Sequence, residues 1–173
     1  MRPEPADRSP ATLQATSMID PMQQRINMVE SQVRPSDITD QRIIRAMLEV
    51  PREPFVAPAL RELAYMDEAV PVTRRLDGRA ARTLLAPRTF AKLVQLAEIE
   101  PGAVVLDVGC ATGYSTAVLA RLANSVVALE VDEDLAAMAA ETLVAISFWG
   151  SGVFMGMFSF GVIATLSGLL ISR

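Results

Sequence analysis

Two carboxylates and a run of very small side chains are the residues of this 173-residue chain best suited to do chemistry. Asp107, Gly109, Ala111 and Gly113 follow one another at the spacing D-x-G-x-A-x-G within VVLDVGCATGYSTAVLA, and Glu130 closes the apolar run SVVALE further on. Side chains this small let a backbone approach a ligand closely, and the helix expected after them starts with unpaired N–H groups that favour an anionic group. An acid at the head of such a loop repels phosphate and suits an ammonium or a cationic ligand. An acid at the end of the next strand can accept hydrogen bonds from both hydroxyls of a ribose. Adenosylmethionine combines these features, with an amino group, a carboxylate, a cationic sulfonium and a ribose. The bland alternative makes Asp107 a turn or helix-cap residue and Glu130 a strand-end charge; their occurrence together, in this order, favours the ligand. The pyrophosphate fingerprint G-x-G-x-x-G is missing from the loop, which argues against a nicotinamide dehydrogenase.

The elements that must hold these residues are legible around them. AVVLDV (103–108) and SVVALE (125–130) are apolar runs of strand length, the pattern of buried parallel strands. Between them 109–113 form a turn and 114–123 a helix; 132–143, DEDLAAMAAETL, form another helix with an acidic start. Strand, helix, strand, helix predicts an α/β chain with a right-handed crossover. Upstream, a helix over about 87–98 places Phe90, Leu93, Val94 and Ala97 on one face, and Pro101-Gly102 closes it. An amphipathic helix fits 24–34, ended by Arg34-Pro35. In the next helix Ser36, Asp37 and Thr39 offer capping oxygens, Asp40 sits in the first turn, and Ile43, Ile44, Met47 and Leu48 repeat at helical spacing. A short helix around 59–64, a loop or irregular strand over 65–72 and a solvated basic turn over 74–82 complete this part.

Composition narrows the chemistry. The chain has 16 basic and 20 acidic residues, a net charge of −4, and its Lys and Arg are interspersed rather than clustered, so it carries no nucleic-acid footprint. It has no histidine and a single cysteine, Cys110, which removes the commonest neutral-pH base, the usual zinc ligand and any internal disulfide. No metal is expected, and Cys110 reads as a small buried filler rather than a nucleophile. Residues 1–17 are rich in Pro, Ala and Ser and are expected to be a disordered leader without a secretory signal, or an over-extended start preceding Met18 or Met28.

Taken together, 24–143 resemble the protein-L-isoaspartate O-methyltransferase family of class I adenosylmethionine-dependent enzymes. The resemblance is carried by five blocks in order: DITDQRIIRAMLEV with PREPFV, then AYMDEAVPV, the helix before the glycine loop, VLDVGCATGYSTAVLA, and ALEVDEDL. It implies a Rossmann-like methyltransferase fold, cytoplasmic location, S-adenosyl-L-methionine as cofactor and isoaspartyl-containing proteins or peptides as substrate, methylated at the carboxylate in protein repair. It also implies that Asp107, Gly109, Ala111 and Gly113 hold the methionine part of the cofactor, that Glu130 holds its ribose, and that Tyr65 and the stretch to Leu85 build the substrate side. In these terms 18–100 form an N-terminal helical and substrate-side segment and 101–143 the first half of the cofactor domain.

Two departures from the family accompany the match. The family segment Q-T-I-S-Q-P, whose serine orients the isoaspartyl carboxylate, reads RTLLAP here, so Leu85 stands at the serine position. Thr83 supplies the nearby hydroxyl and is the candidate catalytic residue, with Arg82 or Arg88 as candidate attractors of a substrate anion. The family pattern also stops near Leu143, after two strands, as in a truncated copy. Residues 144–173 form a hydrophobic tail without charge before Arg173, and 152–172, GVFMGMFSFGVIATLSGLLIS, read as a hydrophobic C-terminal helix. About 20 such residues span a bilayer core; Gly152 and Gly156 offer a packing motif, and Phe148, Trp149, Phe154, Phe158 and Phe160 interfacial anchors. Membrane contact through 152–172 and replacement of native strands by a frameshift or gene-model error both fit this tail. The rival to an enzyme is a non-catalytic cofactor-binding module or a membrane-tethered fragment.

Overall fold

The protein is described by a computed structural model covering residues 20–73 and 81–147 together with the backbone of strands 153–158 and 163–168. The expected leader 1–17 and most of the basic turn 74–82 lie outside the described residues.

Helix α1 (Pro21–Met28) starts at Asp20, whose side chain accepts from the Met22 N–H, and runs on through one wide turn, Val29–Val33, into a tight turn, Arg34–Ser36. Asp37, in the left-handed region at φ 59°, reverses the chain. Helix α2 (Gln41–Glu49) is capped by Asp40, whose side chain accepts from the Arg42 N–H. The first-turn position expected for Asp40 is thus its cap. The Gln95 side chain accepts from the Thr39 and Asp40 amides and donates to the Asp37 carbonyl, fixing the approach to α2 against α3 (Pro87–Leu96). The segment at 58–63 is a 3-10 turn, and β1 (Val70–Pro71) pairs antiparallel with β2 (Thr83–Leu84).

The main sheet begins as the apolar runs require. Strands β3 (Val104–Val108) and β4 (Ser125–Leu129) are parallel and in register from Val104–Ser125 to Val108–Leu129, joined through helix α4 (Tyr114–Leu119). Helix α5 (Glu133–Ser147) follows β4. The core joins Met28, Val29 and Val33 to Ile43, Ile44 and Met47 of α2, Val94 of α3 and Val118 of α4. At its centre the Tyr114 ring lies 5.5 Å from those of both Phe55 and Phe90.

Two expectations need correction. The apolar tail is not a C-terminal helix. Residues 153–158 and 163–168 form strands β5 (Val153–Phe158) and β6 (Ile163–Gly168), an antiparallel hairpin whose second strand pairs antiparallel with β4, giving the order β3-β4-β6-β5. The physical reason is backbone pairing: without β6, the peptide groups along the far side of β4 would have no ladder partner, and a strand edge is satisfied most directly by another strand. Among the described residues no helix is long and apolar enough to cross a membrane. The second correction concerns β3, which is parallel but not buried on both faces. It lies at the end of the strand order, and Val104, Leu106 and Val108 are 71%, 61% and 68% exposed.

Candidate functional site

The loop between β3 and α4 is shaped by backbone conformations that ordinary side chains resist. Gly109 and Gly113 have φ of 77° and 96°, and Ala111 adopts φ 51° despite its Cβ. A strained non-glycine residue of this kind persists where its surroundings hold it. Here the Ala111 N–H donates to Glu130 Oε2 at 2.8 Å, and the Gly109 and Cys110 amides donate to the Leu129 carbonyl at 2.7 and 3.3 Å. The Gly113 amide closes the turn on the Cys110 carbonyl at 2.9 Å, and Thr112 donates its hydroxyl to the Phe55 carbonyl at 2.7 Å. These amides are engaged inside the protein, so the loop offers a ligand close backbone approach more than free N–H groups. At Gly113 a Cβ would lie 3.2 Å from both Ala139 Cβ and Leu143 Cδ1, so this glycine also lets α5 pack against the loop.

Each carboxylate has a defined setting. Asp107 is half-buried near the end of β3, and its Oδ2 accepts from the Ser115 and Thr116 hydroxyls at 2.7 Å each. Those two partners went unremarked in the sequence; the signal was a pair of hydroxyls in the first turn of the helix that follows a strand-end acid. Glu130 is 2% exposed just beyond β4. Its Oε1 accepts from the Val131 and Asp132 amides at 2.9 and 3.2 Å, and its Oε2 from Ala111 and from Arg82 Nη2, the latter at 2.7 Å. Arg82, expected to attract a substrate anion, is therefore bound to the second carboxylate, and it also donates to the Gly109 carbonyl at 3.1 Å. Arg88 pairs with Asp67 at 3.1 Å.

A groove of about 700 Å³ joins the two halves of the expected site: Thr83 and Leu85 line it on one side, and Asp107, Gly109, Ala111 and Ser115 on the other. Glu130 does not line it. Thr83 is exposed, as is Leu85. The segment carrying them is held from beneath by Arg52, a fully buried cation whose Nη2 donates to the Leu85 carbonyl and whose Nε donates to the Ala64 carbonyl at 2.6 Å. The Arg52 guanidinium also lies 4.8 Å from the centre of the Tyr114 ring, and burial pulls its pKa down. Tyr65, expected on the substrate side, donates its hydroxyl to Glu53, and burial followed by that carboxylate pushes its pKa up. The same hydroxyl accepts from the Arg52 amide at 3.2 Å, which secures the turn around Arg52. Cys110 is buried and free, and burial, then the charges of Asp107 and Glu130, push its thiol up to about 11. A thiol so protonated is a filler at neutral pH. No group of acidic or sulfur side chains among the described residues could hold a metal ion.

A parallel strand pair with a small-residue turn after its first strand and an acid after its second, carried on an α/β chain, defines a methyltransferase-like fold. The chain belongs to the protein-L-isoaspartate(D-aspartate) O-methyltransferase family, whose model matches residues 23–148. It is 38% identical over 128 residues to protein-L-isoaspartate O-methyltransferase 2 of Anaeromyxobacter sp. (strain Fw109-5), covering 74% of this chain and 50% of the relative. It is 40% identical over 114 residues to the Herpetosiphon aurantiacus protein of the same family, covering 66% and 48%. The chain thus spans about half the length of the curated relatives it matches. A solved protein-L-isoaspartate O-methyltransferase superimposes with a TM-score of 0.61 at 25% identity, covering 71% of this chain and 39% of that one. A structure described as the Plasmodium falciparum protein, in complex with S-adenosyl-L-homocysteine, shares the fold with a TM-score of 0.56 at 24% identity, over 70% and 55% of the two chains.

Proposed function

We propose that this chain binds S-adenosyl-L-methionine and contributes to methyl esterification of isoaspartyl carboxylates in damaged proteins. The observation that carries the reading is the joint setting of the loop and Glu130: a strained turn of minimal side chains whose Ala111 amide is tied to a buried carboxylate one crossover later. The residues present suit the nucleoside. Glu130 is an acceptor-only group of the kind that receives ribose hydroxyls, Gly109 puts no side chain of its own beside it, and Asp107, fixed by Ser115 and Thr116, offers its carboxylate at the groove for an ammonium. When bound, adenosylmethionine supplies an electrophilic methyl group.

The chain's own part in such a reaction is placement. A carboxylate is already a nucleophile and needs no base, so holding it in line with the methyl donor carries most of the rate, and the lack of histidine is no obstacle. Thr83 is an exposed hydroxyl in the groove suited to orient a substrate carboxylate, while Leu85 beside it presents a hydrocarbon that accepts no hydrogen bond. Leu85 favours a second reading, a cofactor-binding module without turnover.

The two readings separate in one assay. The chain is incubated with methyl-labelled adenosylmethionine and an isoaspartyl peptide, and volatile methanol is collected after base treatment. Base-labile methanol supports the enzyme; retained cofactor without methanol supports the module; neither contradicts both.

A further inference from the structure

We propose that Arg82 is an internal competitor for the ribose seat, occupying Glu130 in the free chain and leaving it when a nucleoside binds. The inference rests on the cofactor reading above and adds to it a residue that lowers affinity. A carboxylate offers about four lone-pair positions, and at Glu130 all are taken: Oε1 by the Val131 and Asp132 amides, Oε2 by the Ala111 amide and Arg82 Nη2. Ribose hydroxyls can be received only if one donor withdraws. Three of the four are main-chain amides fixed within the loops that begin and end at the sheet. Arg82 alone is a side chain, is 34% exposed, and sits at the end of a two-stranded ribbon that can release it without disturbing the sheet.

A second observation points to the same place. A Cβ built on Gly109 would lie 3.0 Å from Arg82 Nη2, so the guanidinium fills the space this left-handed glycine keeps clear. Arg82 thus covers both features assigned to the nucleoside, the small-residue clearing and the buried acid, and neither Arg82 nor Glu130 lines the groove beside them. Binding then exchanges a charge-assisted hydrogen bond for bonds to neutral hydroxyls, and the measured affinity falls by the fraction of molecules in which Arg82 has withdrawn. The released guanidinium remains next to Thr83, at the groove wall where an anionic substrate is expected.

The test is equilibrium dialysis of the full chain with radiolabelled S-adenosylhomocysteine and, separately, adenosine, for wild type, Arg82→Gln and Arg82→Lys. Arg82→Gln is expected to bind both probes about tenfold more tightly, the gain of an arrangement withdrawn in roughly one molecule in ten. Arg82→Lys keeps the charge but loses the planar fork that reaches both Glu130 Oε2 and the Gly109 carbonyl, so its affinity for both probes is expected to fall between those of wild type and Arg82→Gln. Circular dichroism checks the fold of each form before affinities are compared, and Arg82→Lys, the milder change, keeps the comparison open where Arg82→Gln folds poorly. Folded Arg82→Gln, or folded Arg82→Lys where Arg82→Gln is unfolded, binding no tighter than wild type overturns the competitor and leaves the cofactor reading standing. No binding of either probe by any form overturns both.

Discussion

Strands β3 and β4 have nearly the same composition, each an apolar run closed by an acid, yet they meet opposite surroundings. In β4, Val126 and Ala128 are buried and a neighbour pairs on either side. In β3, Val104, Leu106 and Val108 stand out from the sheet at its edge. The acids diverge in the same way. Glu130 is enclosed and fully partnered by amides and Arg82, whereas Asp107 is half-buried at a groove and bound by two hydroxyls. An apolar run therefore states that a surface suits burial, and only the neighbouring chain decides whether it is covered.

Substitution sharpens the contrast. Val126→Asp places an unpaired charge in the covered strand and is expected to cost about 4 kcal/mol or more, enough to unfold a marginal domain, while Leu106→Lys on the open strand should stay within about 0.5 kcal/mol. Urea titration followed by circular dichroism checks both, and equal costs would break the contrast. Next in size is Gly113→Ala, which combines φ 96° with contacts at 3.2 Å to α5 and should cost about 1–3 kcal/mol, against almost nothing for Gly102→Ala, whose Cβ would meet no atom within 4 Å.

The enclosed side also predicts a pH dependence. Burial raises the Cys110 thiol to about 11, from 9.0 in an unstructured chain, so the folded state favours the neutral form. That contribution to stability is complete below about pH 9 and is lost as pH climbs through about 11; Tyr65 and Tyr114, also raised by burial, act in the same direction. Urea midpoints should fall between these values, and a midpoint that rises would contradict the enclosure. The smallest stability effect is expected for Leu85→Ser, within about 0.5 kcal/mol because the side chain is 42% exposed. If the open groove is a substrate site, the same change should increase methanol release from an isoaspartyl peptide.

Helix α2 and strands β3 and β4 were legible because periodicity and caps are local: Asp40 before Ile43 and Ile44, and unbroken apolar runs at 104–108 and 125–129. The carboxylates and the loop glycines were legible for the same reason, since a positive φ and a strand-end acid are written in a few adjacent residues. The partners of those acids were not. Arg82 reaches Glu130 across 48 positions and Gly109 across 27, distances over which sequence spacing carries no geometry. The tail misled because hydrophobicity reports the wish to leave water and not the element that satisfies it. Gly152, Gly156, Gly161 and Gly168 each disfavour a helix interior by about 1 kcal/mol, and as two six-residue strands the backbone pairs β5 with β6 and β6 with β4 instead of closing helical turns.

Glu130 as the seat of a nucleoside is the claim on which the cofactor and competitor readings both depend. Isothermal titration of the chain with S-adenosylhomocysteine, alongside Glu130→Gln shown by circular dichroism to be folded, tests it in one experiment. Saturable heat is expected for the native chain and a loss of roughly tenfold or more in affinity for the variant, the effect of removing a charged acceptor from a buried hydrogen bond. Equal affinity in the two proteins, or no heat from the native chain, would contradict it.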